Sequence, residues 1–414
     1  MCMKKFEEFI KELVLKDFNR PAKVEYDSDK TLQKLIDVGT KQWLDTGQLE
    51  KAKPLWKKQF TALTTNNTLV NQVIQQGIFD DLIPKVSSEI SSFKKDISQD
   101  ELITEIGFIL NCRVAMRLVE NFNCLVSVEL HPKFGQDIEK SVYYGTRYYN
   151  VLPTNFIVKV PLTPEGFIIA RKLSKNNIPV NFTLGFSARQ NYLAGAISNP
   201  AYVNVFMGRL NSVISDNKLG DGNYAGEKAT MATQVCLNEL KKKYKDIKTL
   251  LIGASIRSGQ QMADLAGIDV FTCPPKAVEE FYKLNLKPED IKNQLGRKFE
   301  VKFNDSSIEK KYGFDALWNI SDEFKKVIDD LRKENLDDYD GKKLVNFLSK
   351  KDESNILYEF SEQDLAEIKK DGKIPKLDKW VERKAPLDYL MTVSAIKSFE
   401  TDQEALDNRI KEKI

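Results

Sequence analysis

Lys159 sits in an apolar run and is the first residue of the chain that invites chemistry. Phe156, Ile157, Val158 and Val160 surround it and leave no polar face, so the stretch reads as a buried strand. Burying an ammonium is costly, and a lysine so placed either gives up its proton or finds a partner. A neutral amine in an apolar pocket is a nucleophile for carbonyls. Most lysines in apolar runs snorkel or lie on edge strands instead, so one residue does not carry the reading. The strand stops at Pro161, and Thr163-Pro164-Glu165 has the form of a helix start, with Thr as cap, Pro next and Glu in the first turn. Lys159 therefore lies near the C-terminal end of a strand that feeds a helix. In barrels of alternating strands and helices, that end holds the chemistry.

The remaining strand ends supply matching groups. Strands are expected at Lys41–Asp45, 59–64, 124–129, 179–184, Tyr202–Phe206, 249–254 and 269–273, besides the Lys159 strand. Helices are expected between them: at 52–58, 68–76 and 102–121 (behind a capping box at Ser98), from Pro164 to 175, after Ser187, up to Tyr244, at 259–266 and at 277–282. Eight strands alternating with helices over about 250 residues is the arithmetic of a (β/α)8 TIM barrel, an α/β fold. Its strand ends carry Asp45, Asn66, Glu129, Lys159, Thr183, Arg209, and Ser255 with Arg257. Two carboxylates facing an amine make a proton-transfer site around a Schiff base. Two arginines and a serine suit a phosphate, because the guanidinium fork matches its oxygens. Alone, Arg209 reads sooner as a salt-bridged rim residue and Asp45 as a helix cap.

The expected division is an N-terminal helical segment at 1–38, the barrel at 39–284 and a mostly helical extension at 285–414. Within the extension, 299–303 has a strand-like pattern and Thr401-Asp402-Gln403-Glu404 has the form of a helix cap. The extension is free to cover the barrel mouth, to join copies in a homo-oligomer or to bind another protein. The glycine-rich loop 218–226 lacks a nucleotide fingerprint and is expected to be a flexible connection.

Composition narrows the class. The 414 residues are 42% hydrophobic and 30% charged, as in globular proteins. With 63 basic and 60 acidic residues, no general basic field exists for nucleic acid or a membrane surface. Cys2, Cys112, Cys124, Cys236 and Cys273 form no CxxC pair, which fits free thiols in a reducing cytoplasm. The single histidine, His131, rules out a histidine-rich zinc site or a serine–histidine triad with spare parts, and no metal is expected. It reads as a surface residue beside Pro132. The N-terminus lacks a signal-peptide pattern, and no apolar run of about 18 residues suggests a transmembrane helix.

Seven segments, in order and each at a strand end, resemble the transaldolases, class I aldolases of barrel fold. They are Leu44-Asp45-Thr46-Gly47, Thr64-Thr65-Asn66, Val128-Glu129, Val158-Lys159-Val160-Pro161, Asn181-Phe182-Thr183-Leu184, Phe206-Met207-Gly208-Arg209 and Gly253-Ala254-Ser255-Ile256-Arg257. The resemblance spans roughly residues 40–285. It implies Lys159 as the Schiff-base lysine and Asp45 as the carboxylate that takes the hydroxyl proton as the carbon–carbon bond breaks. Glu129, beside Thr183, would be the acid/base working through a water. Asn66 and Asn181 would bind the dihydroxyacetone unit, with Asn204 and Phe206 also lining that site, and Arg209, Ser255 and Arg257 would bind phosphate. The implied reaction takes a dihydroxyacetone unit from sedoheptulose 7-phosphate to glyceraldehyde 3-phosphate, in the non-oxidative pentose phosphate pathway, without cofactor.

Two positions depart from the family pattern. Asn204 stands where serine is usual, and Asn67 stands where proline usually follows Thr-Thr-Asn. Two other functions compete. In the related fructose-6-phosphate aldolases a glutamine commonly replaces the Glu129 equivalent and a tyrosine the Phe206 equivalent. A non-catalytic sugar-phosphate binder would need no proton-transfer carboxylates.

Overall fold

The computed structural model describes residues 2–20, 24–351 and 355–414, with the backbone alone for Cys2 and Met3. Met1, 21–23, 352–354 and the side chain of Cys2, all parts of the expected segments, lie outside the described residues. The eight parallel strands close into a barrel in sequence order. They are β1 (Lys41–Asp45), β2 (Phe60–Thr64), β3 (Leu125–Glu129), β4 (Phe156–Pro161), β5 (Val180–Thr183), β6 (Tyr202–Phe206), β7 (Leu250–Ala254) and β8 (Val270–Cys273), and β1 pairs with β8. The expected strands agree to within a residue at each end.

The side-chain period of a strand explains the mixture in β4. Val158 packs outward toward Gly145, on the helix Ile138–Val151, while Lys159 points into the barrel. The register then sets the site. Glu129 on β3, Lys159 on β4 and Asn181 on β5 stand directly opposite one another, and Asp45 on β1 opposes Thr64 on β2.

Helices ring the barrel, among them Asn67–Ile74, Gln99–Phe122, Ile138–Val151, Pro164–Lys175 and Ala188–Ser198. A buried ion pair fastens two of them. Arg147 donates to both carboxylate oxygens of Glu105 at 2.8 and 2.6 Å, and the Tyr144 hydroxyl adds a third bond at 2.9 Å.

The extension is helical and packs on the barrel. Gly341–Ser349 lies against Pro164–Lys175. The last helix, Leu387–Lys413, packs on Asn67–Ile74 and Gln99–Phe122. It is pinned at both ends. Asp388, fully buried, accepts from Ser187 Oγ at 2.7 Å and from Arg189 at 2.8 and 2.9 Å. Arg409 donates to Asp80 at 2.8 Å.

Several expectations are corrected. The segment 299–303 forms no strand, because its neighbour is a loop; a single antiparallel bridge joins Phe303 to Gly220. That contact also holds the loop 218–226, which is pinned rather than free: Asn304 N–H donates to Leu219 O at 2.8 Å. Thr401 caps nothing. It lies inside Leu387–Lys413, whose buried Phe399, Gln403, Leu406 and Ile410 continue the helical spacing past it. Ser98 does cap the following helix, but the Glu101 carboxylate is engaged by Lys94 at 2.6 Å instead of closing the box. The expected helix at 52–58 is the shorter Leu49–Ala52 followed by a 3₁₀ turn at Lys53–Leu55. Helices at Leu82–Phe93, Ile138–Val151 and Met207–Asp216 were not expected. Among the described residues no helix is long and apolar enough to cross a membrane.

Candidate active site

The catalytic candidates meet at the C-terminal end of the barrel. Lys159 Nζ is buried, donates to the Thr65 carbonyl at 3.1 Å and lies 4.0 Å from Glu129 Oε2. Burial pushes the Glu129 carboxyl up to about 7, against the opposing pull of Lys159 and of the Asn67 backbone N–H, which donates to Oε2 at 3.3 Å. Glu129 is thus poised to give or take a proton near neutrality. Asp45 accepts from Thr64 Oγ1 at 2.6 Å, and Thr64 Oγ1 is 2.6 Å from Thr272 Oγ1. Lost hydration raises the Asp45 carboxyl, while Lys159, the Thr64 bond and Arg257 hold it back. Asp45 caps no helix.

The polar residues beside the lysine fall into two groups. Asn181 Nδ2 donates to Ser127 Oγ at 3.1 Å, and its Oδ1 accepts from Asn204 Nδ2 at 3.0 Å. Asn204 also accepts weakly from Gly185 N–H at 3.4 Å. The Asn204 amide therefore fixes its neighbour's orientation. Asn66 caps the helix Asn67–Ile74, where Oδ1 accepts from Leu69 N–H at 2.8 Å, leaving its Nδ2 for other work. Thr183 Oγ1 is buried and has no hydrogen-bond partner. Phe206 is buried at the end of β6, its ring 6.0 Å from Phe186. Leu184 and Ser255, just past β5 and β7, take left-handed backbone angles, with φ of 65° and 58°. Such strain gathers where strand ends must aim side chains.

The anion candidates form a third group. Arg209 enters in the first turn of Met207–Asp216. Its guanidinium is buried, Nη1 has no partner, and burial together with nearby Arg257 lowers it to about 10. An unpartnered buried cation is costly unless an anion arrives. Arg257 is exposed and lies across Gly208, where an added Cβ would come within 2.2 Å of Arg257 Nε and 2.5 Å of the Ser255 carbonyl. The helix after Ser258 is only Gly259–Asp264, too short to offer a long helix dipole at this place. Among the described residues no cluster of three or more His, Cys, Asp or Glu side chains is arranged for a metal.

The model of the transaldolase/fructose-6-phosphate aldolase family matches residues 42–331, 70% of the chain, counted as 290 of 414. The chain belongs to the transaldolase/fructose-6-phosphate aldolase family. A transaldolase of Prochlorococcus marinus (strain MIT 9312) is 27% identical over 324 residues, which is 73% of this chain and 95% of the relative. A probable transaldolase of Nitrosopumilus maritimus is 34% identical over 145 residues, 34% of this chain and 58% of the relative. A transaldolase of Xanthomonas euvesicatoria is 26% identical over 244 residues, covering 57% of this chain and 73% of the relative.

In this member of the transaldolase/fructose-6-phosphate aldolase family the last helix roofs the barrel mouth. Phe399 lies under the Arg209 guanidinium, 5.7 Å from ring centroid to Cζ. Thr68 donates to Asp402, and Asn67 Nδ2 donates to Gln403 at 3.1 Å. His131 Nε2 lies 3.3 Å from Asp407 on the same helix, so the histidine is half-buried against the roof and not a free surface residue. A cavity of about 740 Å³ separates the roof from the β3–β5 side of the mouth. Glu129, Pro161, Leu184, Lys342, Tyr389 and Phe399 contribute to its wall. The strand ends flagged Asp45, Glu129, Lys159 and Arg209 in the sequence. Nothing there flagged Phe399 or Gln403 as neighbours of the site.

Proposed function

We propose that this enzyme is a transaldolase that carries a dihydroxyacetone unit on Lys159. The observation that carries the reading is the buried Lys159 amine, 4.0 Å from a Glu129 carboxyl raised to about 7. The Lys159 amine attacks the C2 ketone of a ketose phosphate such as sedoheptulose 7-phosphate. Glu129, through a water seated beside the unpartnered Thr183 hydroxyl, protonates the departing hydroxyl, and water leaves from the carbinolamine. The protonated imine then serves as electron sink. Asp45 takes the C4 hydroxyl proton, the C3–C4 bond breaks, and its electron pair moves into the imine to give an enamine. Erythrose 4-phosphate departs. The enamine carbon attacks the aldehyde of glyceraldehyde 3-phosphate while Asp45 returns the proton. Hydrolysis of the new imine releases fructose 6-phosphate and frees Lys159.

Asn66 Nδ2 and Asn181 would hold the three-carbon unit, and Arg209, Ser255 and Arg257 would hold the phosphate that both substrates share. The unsatisfied N–H donors on Arg209 Nη1 support that seat. Cys112, Cys124, Cys236 and Cys273, all buried and free, suit a reducing cytoplasm.

The sister reaction, aldol cleavage with release of free dihydroxyacetone, is disfavoured by Glu129 and Phe206. Fructose 6-phosphate supplied with erythrose 4-phosphate distinguishes the two. Transfer yields sedoheptulose 7-phosphate and glyceraldehyde 3-phosphate. Rapid release of free dihydroxyacetone without acceptor would overturn the transaldolase reading.

A further inference from the structure

We propose that Gln403, on the last helix, is a positioning residue for the reaction: it holds Asn67 so that the Asn67 backbone N–H stays on Glu129. The proposal rests on the transaldolase reading above.

The contacts form one continuous chain. Glu129 Oε2, the oxygen nearer Lys159, accepts from Asn67 N–H at 3.3 Å. Asn67 Nδ2 donates to Gln403 Oε1 at 3.1 Å. Gln403 Nε2 donates to Asp407 Oδ1 at 2.8 Å. Asp407 Oδ2 lies 3.3 Å from His131 Nε2, and His131 Nδ1 accepts from Lys133 N–H at 3.2 Å. Because Nδ1 is an acceptor, the ring proton of neutral His131 sits on Nε2 and points at Asp407. The chain starts at the carboxylate and returns to a histidine two residues beyond it. Two of its links, Asn67 to Gln403 and Asp407 to His131, join the barrel to the extension.

The inference turns on residue 67. Proline at this position has no N–H and cannot donate to Glu129. Here an asparagine supplies that donor, and its side chain reaches outward to a glutamine 336 positions away. Both residues are buried. Asn67 Oδ1 finds no partner, so the Gln403 bond is the side chain's one tether among the described residues. Without it the amide would turn to satisfy Oδ1, and the first turn of Asn67–Ile74, which carries the N–H, would shift with it. Gln403 and Asp407 stand one turn apart on one helix face, with Phe399 a turn earlier against Arg209. One face thus serves both ends of the site.

The charged groups around Glu129 are Lys159 on β4, Asp45 on β1 and Arg209 after β6, with His131 beside it and Asp402 and Asp407 on the last helix. The Asn67 bond favours the ionised carboxylate, so its loss raises the carboxyl further.

The test compares parent, Gln403→Leu, Asn67→Ala and the double variant by kcat, KM and the pH profile of kcat for transfer from fructose 6-phosphate to erythrose 4-phosphate. Gln403→Leu should lower kcat by about tenfold with KM changed less than about twofold. Its inflection near neutrality should move up by about half a pH unit. Asn67→Ala should match it, and the double variant should be no worse than either alone. A Gln403→Leu enzyme with the parent's kcat and pH inflection would overturn the proposal, as would additive losses in the double variant. Should Gln403→Leu fail to fold, Asn67→Ala carries the same two readouts. A parent without transfer activity sinks the underlying reading instead, a distinct outcome.

Discussion

Lys159 and Glu129 stand at the same register of two adjacent parallel strands, and Nζ lies 4.0 Å from Oε2. A buried ammonium needs an acceptor and a buried carboxylate needs a donor. The barrel supplies both from consecutive strand ends, then leaves the carboxyl near 7 because lost hydration outweighs the attraction.

Glu129 gives a signed dependence on pH. Its folded carboxyl keeps a proton up to about 7, against an ordinary value of 4.5. Between those values the folded state holds the extra proton, so stability falls as pH rises through the window. Glu129→Gln should therefore gain melting temperature relative to the parent from about pH 4.5 to about pH 7 and hold that difference above. Parallel thermal melts across this range check it; a difference independent of pH would contradict it.

Arg209 should show a trade between stability and binding. Its buried, unpartnered Nη1 burdens the empty protein. Arg209→Met should raise the melting temperature by a few degrees while KM for phosphorylated substrate rises at least about tenfold. Inorganic phosphate should stabilise the parent and leave the variant unmoved. Differential scanning calorimetry with and without phosphate reads the stability, and initial rates over a substrate series read KM.

Gly208 has no room for a side chain under Arg257. A methyl there meets Arg257 Nε at 2.2 Å and the Ser255 carbonyl at 2.5 Å. Gly208→Ala should push both aside and, like Arg257→Ala, weaken phosphorylated substrates by about 1.5–3 kcal/mol. Unchanged KM in both variants would remove these residues from the phosphate seat.

The Glu105–Arg147 pair lies outside the barrel and touches no proposed substrate. Glu105→Ala leaves a buried guanidinium without its carboxylate and should cost about 3–5 kcal/mol of stability. The kcat of the folded fraction should stay at the parent value. Urea denaturation and active-site-normalised rates separate the two effects.

The strands were legible because each is a short apolar run ended by a polar residue, and a parallel barrel places those ends together. That logic reached Asp45, Glu129, Lys159, Thr183 and Arg209. It missed the helix Ile138–Val151, whose buried face includes Ser141, Gly145 and Arg147 and so hides its period. It read Thr401 as a cap because the residue types matched, although the apolar spacing runs through it. Covering the mouth was one of the roles left open for the extension, but the contacts that make the roof were illegible for a different reason. Asn67 meets Gln403, and Arg209 meets Phe399, across separations that no local pattern encodes.

The Lys159 imine is the central claim. Incubation with fructose 6-phosphate and sodium borohydride, then proteolysis and mass spectrometry, tests it most directly. A reduced dihydroxyacetone adduct on the Lys159 peptide, absent from Lys159→Ala, is the expected result. A parent enzyme that turns over substrate yet carries no adduct on Lys159, or carries it on another lysine, would contradict the account.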